Sequence, residues 1–235
     1  MLAVILAGGQ GTRLRPYTTT IPKPLVPVGS RAILEIVLMQ LRKAGVREVR
    51  LAVNHMAELI MAFFGKGQKF GLSIEYAIED RPLGTVGGLT GIPDLPENFI
   101  VMNGDVLTDL DYAELFRCHV EQRAELTLST YRRTEKVDFG VLDVDVAASR
   151  VVGFREKPRL DFDVSMGIYV FNRRLLERIP RDRPYGLDQL VLALLDRGTP
   201  IHAYPFSGYW LDLGRPDDYD RANREIARFL PEEGE

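Results

Sequence analysis

Apolar residues in the first half of the chain form two alternating patterns. Short apolar or alternating runs predict strands at residues 2–6, 49–53, 72–78, 99–102 and 126–131. Apolar residues spaced three and four apart predict helices at residues 32–42, 56–64 and 111–120. Strands and helices that alternate in this way form right-handed βαβ units. We therefore expect a mainly parallel sheet with helices on both faces.

The pattern changes in the second half. Residues 140–145 and 150–154 predict a hairpin with a polar turn at 147–149. The remaining elements are a strand at 164–171, a short strand at 201–204 and helices at 187–195 and 216–229. The chain shows no internal repeat and no low-complexity linker. We therefore predict one domain over residues 1–230 and a disordered acidic tail at 231–235.

Composition narrows the classes of partner. Of the 235 residues, 46% are hydrophobic and 27% charged, and the formal net charge of −3 argues against nucleic acid as a partner. No run of 18 apolar residues suggests a membrane span, and the first apolar run is short and lacks the basic start of a signal peptide. The single cysteine, without a Cys/His cluster, argues against a zinc site. These features predict a cytoplasmic protein, and they leave homo-oligomer formation open.

A glycine-rich turn follows the first strand. Gly8, Gly9 and Gly11 would let backbone N–H groups approach phosphate oxygens where a strand turns toward a helix. The turn lacks the lysine of a Walker A loop, and Leu14 stands where a dinucleotide fingerprint needs glycine. The glycines alone leave a plain tight turn as the alternative.

Two cations beyond the turn favour phosphate binding. Arg13 offers a fork of donors, and Lys23 lies between Pro22 and Pro24, which restrict its backbone. A surface lysine that only contacts water does not need a backbone restricted in this way, so the pattern favours a phosphate-binding role for Lys23.

The stretch "LAGGQGTRLRP" followed by "PKPLVPV" resembles the signature of the sugar-1-phosphate nucleotidyltransferases, the NDP-sugar pyrophosphorylases. Five later motifs of that family follow in order, namely "PLGTVGGL" at 82–89, "NGD" at 103–105, "FREKP" at 154–158, "SMGIYVF" at 165–171 and "GYWLDLGRPDDY" at 208–219. The resemblance implies a Rossmann-like, three-layer αβα nucleotidyltransferase fold of the GT-A-like kind. Such a fold has a mixed central sheet and a small sugar-binding lobe. Residues 1–130 would mainly bind nucleotide, and residues 131–230 would mainly bind sugar and supply the second metal ligand.

The implied reaction joins an NTP and a sugar 1-phosphate to give an NDP-sugar and pyrophosphate. The attacking phosphate is already ionised, since its second pKa is about 6, so no general base is needed. The resemblance assigns Mg²⁺ to Asp105 and Asp212, and the catalytic cations to Arg13 and Lys23. It assigns nucleotide binding to Leu6, Ala7, Gly8, Gly9, Gly11, Thr12, Glu79, Gly84 and Thr85. It assigns sugar binding to Asn103, Gly140, Glu156, Lys157 and Gly167.

The nucleobase depends on the segment around Glu79. The stretch "PLGT" at residues 82–85 is more similar to guanylyltransferases than to thymidylyl members, and a carboxylate can accept both adjacent N–H donors of guanine. The sequence therefore favours GTP with mannose 1-phosphate or heptose 1-phosphate. The alternative is dTTP or UTP with glucose 1-phosphate or a related sugar phosphate.

Two other classes remain as alternatives. A catalytically silent relative would bind nucleotide sugars and regulate a partner, and we would expect it to have lost at least one of Arg13, Lys23, Asp105 and Asp212, all of which are present. A retaining glycosyltransferase would carry a D-x-D metal motif after a strand, whereas Asp143 and Asp145 fall in the predicted hairpin. The absence of hexapeptide repeats argues against a bifunctional acetyltransferase-uridylyltransferase.

Overall fold

Strands and helices alternate along most of the chain. The computed structural model describes residues 1–9, 11–79, 81–181, 183–214 and 216–226. The strands in these residues are β1 (Leu2–Leu6), β2 (Pro27–Val28), β3 (Arg31–Ala32), β4 (Glu48–Val53), β5 (Ser73–Ile78), β6 (Asn98–Asn103), β7 (Val106–Thr108), β8 (Leu126–Lys136), β9 (Val141–Asp145), β10 (Arg150–Arg155), β11 (Arg159–Asn172), β12 (His202–Phe206) and β13 (Trp210–Asp212). The α-helices are α1 (Ile33–Lys43), α2 (Ala57–Phe64), α3 (Gly84–Gly87), α4 (Tyr112–Glu121), α5 (Leu187–Asp196) and α6 (Pro216–Glu225).

The central sheet has seven strands in the order β12-β8-β11-β6-β1-β4-β5. Strands β6, β1, β4 and β5 are parallel, and β11 runs antiparallel to both β6 and β8. The sheet is therefore mixed, as predicted. Its parallel half ends with the carboxyl termini of β1, β4 and β6 along one edge, where ligands bind in open α/β sheets.

Helices cover both faces of the sheet. On one face, α1, α2 and α4 pack Leu38, Ile60 and Leu115 against sheet residues such as Ile5 and Ile100. On the other face, α3 and α5 lie over residues such as Val4 and Phe171. A third cluster holds α6 against the segment around Leu14. These layers confirm the predicted three-layer αβα fold.

The predicted hairpin forms a separate small sheet in which β9 and β10 are antiparallel. The outer parts of β8 and β11 pair with each other over Arg132–Lys136 and Arg159–Asp163, and most side chains there are exposed. The β9–β10 sheet and this exposed part of β8 and β11 are together called the lobe below. The resemblance predicts that this lobe binds sugar.

The longer predicted elements are found, with ends that differ by a few residues. Strands β2, β3, β7 and β13 were not predicted because they have only two or three residues each. The end of the predicted last helix at 227–229 and the predicted disordered tail at 231–235 lie outside the described residues. No helix in the described part of the chain is both long and apolar enough to cross a membrane.

His119 on α4 is fully buried, and both of its ring nitrogens have partners. One nitrogen lies 2.8 Å from Thr127 Oγ1 and the other 3.1 Å from Asn98 Oδ1. Burial, and then the nearby His202, lower the pKa of His119 to about 4. The histidine is therefore neutral in the folded chain at neutral pH and links α4 to β6 and β8.

The depressed pKa of His119 predicts a loss of stability in acid. Between pH 6.5 and about 4 the unfolded chain binds a proton at this residue and the folded chain does not, so the free energy of unfolding should fall as the pH falls. Urea unfolding at a series of pH values measures this slope. His119→Gln should be less stable at pH 7.5 and show a shallower slope than the wild-type chain. Equal slopes in the two chains would refute the assignment.

Candidate active site

A cleft of about 500 Å³ opens at the carboxyl ends of the parallel strands. Its walls come from the residues after β1, β4 and β6, together with the segments around Lys23 and Gly84. The lining residues are Leu6, Ala7, Gly8, Gly9, Arg13, Lys23, Pro24, Ala52, Asn54, Glu79, Pro82, Gly84, Thr85, Asn103, Gly104 and Asp105. Eleven of the sequence-predicted residues are therefore brought together in one place.

The glycine turn forms one wall of the cleft. The Ala7 N–H donates to Ala52 O at 2.8 Å, which fixes the start of the turn on β4. A Cβ on Gly9 would meet no atom within 4 Å, so the backbone there is open to the cleft. Gly11 has a φ of +62°, and Thr18 Oγ1 donates to its carbonyl at 2.8 Å. Gly11 does not line the cleft, and neither does Thr12, which lies in the following 3-10 turn.

Lys23 forms an ion pair with Asp105 in the cleft. The ammonium group of Lys23 donates to Asp105 Oδ2, and the two side chains are only 12% and 21% exposed. Lys23 begins a short 3-10 turn between Pro22 and Pro24, so its backbone is well defined. The pair joins this irregular segment to the residue that follows β6.

Asp212 lies beside Asp105 because β13 pairs with β7. Asp212 is opposite Val106 in that pairing, and the Leu213 N–H donates to Asp105 O at 2.9 Å. Arg13 lies in the same group. A Cβ built on Gly214 would be 3.1 Å from Asp212 Oδ1 and 3.3 Å from Arg13 Nη1, so the carboxylate and the guanidinium are close to each other. Arg13, Lys23 and Asp105 line the cleft, and Asp212, which does not, lies directly beside Asp105 and Arg13.

The environment of Asp212 suits a bound cation. Burial raises its pKa, and the negative charge of Asp105 raises it further, while Lys23 and Arg13 act in the opposite direction. A divalent cation between the two carboxylates would remove their repulsion. The described residues contain no cluster of three or more His, Cys, Asp or Glu side chains that could hold a metal. Two neighbouring carboxylates are a donor set that Mg²⁺ accepts, because it takes few protein carboxylates and completes its shell with phosphate and water.

Glu79, Gly84 and Thr85 form the opposite wall. The Leu83 N–H donates to Glu79 Oε2 at 3.3 Å, and burial raises the pKa of Glu79 while this hydrogen bond lowers it. Gly84 has a φ of +78° and lies against the backbone of Tyr185, where a Cβ would be 2.7 Å from the carbonyl oxygen. The segment can therefore pass close to Tyr185 only with glycine at position 84.

The five predicted sugar residues fall into two groups. Asn103 lines the cleft, and Gly167, with a φ of +76°, packs so closely that a Cβ would be 2.7 Å from Asn103 Nδ2. Gly140, Glu156 and Lys157 are exposed in the lobe of β9 and β10 and do not line the cleft. A Cβ on Gly140 would lie 3.4 Å from Glu156 Oε2, so these two residues are neighbours.

Sequence reasoning missed Asn54. This residue lines the cleft, and its Nδ2 donates to Glu79 O at 2.6 Å. It therefore positions the backbone of the residue predicted to recognise the base. Asn54 directly follows the predicted strand 49–53, so the rule that ligands bind at the carboxyl ends of parallel strands would have found it.

The fold and the cleft define a nucleotide-binding α/β protein. Its glycine turn, cations and carboxylates lie at the carboxyl ends of parallel strands, where phosphates bind. Residues 2–228 match the family model described as "Nucleotidyl transferase". The chain belongs to the nucleotidyl transferase family.

The chain is also similar to individual members of known function. It is 37% identical over 235 residues to the mannose-1-phosphate guanylyltransferase of Mycobacterium tuberculosis, covering 97% of this chain and 65% of that protein. It is 35% identical to the UTP–glucose-1-phosphate uridylyltransferase of Synechocystis, covering 96% of this chain and 63% of that protein. The chain thus spans about two thirds of the length of these relatives.

A solved structure shows the same fold over nearly its whole length. The crystal structure of HddC from Yersinia pseudotuberculosis gives a TM-score of 0.75 at 28% identity, covering 96% of this chain and 99% of that chain. A second structure of HddC, complexed with GMP-PN, gives a TM-score of 0.74.

The geometry of the glycine turn predicts different effects of two alanine substitutions. Gly11→Ala would place a Cβ 2.9 Å from Thr18 Cγ2 and 3.1 Å from Lys23 Cβ at a positive φ. We expect it to lower the free energy of unfolding by about 1–3 kcal/mol. Gly9→Ala has open space, so its stability should change by less than about 0.5 kcal/mol. Urea unfolding of both variants tests this, and an equal loss in both would contradict the described turn.

Proposed function

We propose that the chain transfers a guanylyl group from GTP to mannose 1-phosphate or heptose 1-phosphate, releasing pyrophosphate. The observation that carries the proposal is the group of Lys23, Asp105, Asp212 and Arg13 beside the glycine turn. This group brings two cationic and two carboxylate side chains together where the phosphates of the NTP and of the sugar would have to meet. The names of the Mycobacterium tuberculosis relative and of the GMP-PN complex support the choice of guanine and of a sugar phosphate.

A direct displacement is consistent with the residues of the cleft. The phosphate of the sugar attacks the α-phosphorus, one new P–O bond forms, and the bond to pyrophosphate breaks. The nucleophile needs no deprotonation, because its second pKa is about 6. No histidine or cysteine is among the described residues that line the cleft. The chain would therefore act by positioning the reactants and stabilising their charge.

Arg13 and Lys23 would hold different phosphates. The N–H groups of the glycine turn and Arg13 would bind the part of the triphosphate that leaves as pyrophosphate. Lys23 would neutralise the attacking phosphate and the α-phosphate. In the described arrangement Lys23 balances Asp105, so it can exchange this carboxylate for a phosphate oxygen when substrates bind.

Asp105 and Asp212 would hold Mg²⁺. When bound there, the ion would supply charge stabilisation at the α-phosphate and at the sugar phosphate. Asp105 and Asp212 would fix the position of that charge, because the β7–β13 pairing and the Leu213 N–H hold them side by side.

The sugar would lie between the cleft and the lobe. Asn103 lines the cleft and Gly167 packs against it, whereas Gly140, Glu156 and Lys157 would have to approach from the lobe. We propose that the lobe moves toward the cleft when the sugar phosphate binds.

Three further predictions rest on the sequence alone. They are a location in the cytoplasm, the formation of a homo-oligomer and the division of the chain at residue 130 into a mainly nucleotide-binding and a mainly sugar-binding half.

Substitution of the two aspartates tests the reaction. Asp105→Asn or Asp212→Asn should reduce Mg²⁺-dependent release of pyrophosphate from GTP and mannose 1-phosphate by about a thousandfold, roughly 4 kcal/mol of transition-state stabilisation. Asp94→Asn, at an exposed position outside the cleft, is the matched control and should keep its activity. Full activity of either aspartate variant, with an unchanged melting temperature, would refute the metal assignment. If the chain is instead a catalytically silent relative, neither the wild-type chain nor any of these variants will release pyrophosphate.

Glu79→Gln tests the choice of base. The amide keeps an acceptor for the Leu83 N–H but presents only one acceptor where guanine offers two donors. We expect the KM for GTP to rise about tenfold or more, with a smaller change for UTP. The Synechocystis relative makes UTP the alternative, and an unchanged KM for GTP together with a raised KM for UTP would favour it.

A further inference from the structure

A residue outside the cleft holds the wall segment 83–87 by backbone hydrogen bonds. The Tyr185 N–H donates to Leu83 O at 2.8 Å, and Tyr185 O accepts from the N–H groups of Val86 and Gly87 at 3.1 Å each. Tyr185 is only 7% exposed and does not line the cleft. Val86 and Gly87 are buried, so water does not readily replace a lost partner of their N–H groups. The position of the wall segment therefore depends on the position of Tyr185.

Close packing adds to these hydrogen bonds. A Cβ on Gly84 would lie 2.7 Å from Tyr185 O, and a Cβ on Gly87 would lie 3.3 Å from Tyr185 N. Gly84 and the next residue, Thr85, line the cleft. A shift of Tyr185 toward the wall would therefore push residues that face the nucleotide.

Gln189, in the first turn of α5, holds Tyr185 and Gly186 in place. Its Oε1 accepts from the Gly186 N–H at 2.8 Å, and its backbone carbonyl accepts from the Tyr185 hydroxyl at 3.3 Å. The side chain thus reaches back to the residue that precedes the helix, as in a capping box. Gln189 is exposed and does not line the cleft, so its side chain acts only on this support.

Leu83 connects the support to the carboxylate of Glu79. Its carbonyl accepts from the Tyr185 N–H, and its own N–H donates to Glu79 Oε2 at 3.3 Å. The other oxygen, Glu79 Oε1, packs against Gly88, where a Cβ would be 1.9 Å away. The direction of the carboxylate is therefore fixed by the same stretch of chain that Tyr185 holds.

We infer that Gln189 is a positioning residue for the nucleobase, which acts through Tyr185 and the wall segment on the carboxylate of Glu79. It thereby sets the preference for guanine over uracil. Guanine offers two adjacent N–H donors and needs a correctly directed carboxylate, whereas uracil has a single donor to lose. The statement about the base rests on the proposed function, because it assumes that Glu79 contacts the base. The statement that Gln189 fixes the wall segment does not.

Three substitutions at exposed positions of the full chain separate these statements. Gln189→Ala removes the acceptor for the Gly186 N–H. Gln189→Glu keeps an acceptor there and places a negative charge in the first turn of α5, where it is favourable. Gln122→Ala, at the end of α4 on the opposite face of the sheet, is the matched control.

Hydrogen exchange without nucleotide tests the support itself. The amides of Val86 and Gly87 should exchange about tenfold faster in Gln189→Ala than in the wild-type chain. Gln189→Glu and Gln122→Ala should keep the wild-type rates. Unchanged rates in Gln189→Ala would overturn the inference.

Calorimetric titration with GTP and with UTP tests the effect on the base. Gln189→Ala should lower the ratio of GTP affinity to UTP affinity about threefold or more, and Gln189→Glu should keep the wild-type ratio. An equal loss of affinity for both nucleotides would indicate a general structural role and would overturn the selection of the base.

A double substitution tests the route. If Gln189 acts through Glu79, then Gln189→Ala should cause no further loss of GTP affinity in a chain that already carries Glu79→Gln. A full additional loss would overturn the route. A chain whose amides respond as expected but which binds neither nucleotide would refute the proposed function, and the role of Gln189 in fixing the wall segment would stand.

Discussion

The ion pair between Lys23 and Asp105 is the interaction on which the cleft depends. It joins an irregular segment near the start of the chain to the end of β6, 82 residues later. Both side chains are largely shielded from water, so the attraction is stronger than that of a surface pair. Without Lys23, Asp105 and Asp212 would face each other with Arg13 as their near counter-charge. In the free chain, the cations of this cluster are balanced by its carboxylates. When substrates bind, the same cations would balance the charges of phosphates.

Backbone geometry decides which groups can reach this cluster. Gly11 in the glycine turn and Gly84 beside Tyr185 adopt positive φ angles, and each lies against neighbours that leave no room for a side chain. Asn54 holds the backbone of Glu79, and Leu83 holds its carboxylate. The cleft is therefore built from rigid contacts at the ends of parallel strands, whereas the predicted sugar residues of the lobe remain exposed. This difference is the physical reason to expect a rigid nucleotide site and a moving sugar site.

Much of this arrangement follows from the sequence. The continuous apolar runs predicted the parallel strands. Because Gly8 and Asp105 each follow one of these strands, the rule that ligands bind at the carboxyl ends places both at the same edge of the sheet. The position of Asp212 could not be derived in this way, because it depends on the pairing of β7 with β13, two strands too short to show a pattern. The ion pair between Arg50 on β4 and Glu75 on β5 was also invisible, since it requires the register of the sheet.

The central claim is that the α-phosphorus passes directly from pyrophosphate to the sugar phosphate within the cluster of Lys23, Asp105, Asp212 and Arg13. The stereochemical course with GTP carrying one sulfur at a chiral α-phosphorus measures this most directly. A single in-line displacement predicts inversion of configuration in the NDP-sugar product. Retention would require two displacements and a nucleophile on the protein, and that result would contradict the account.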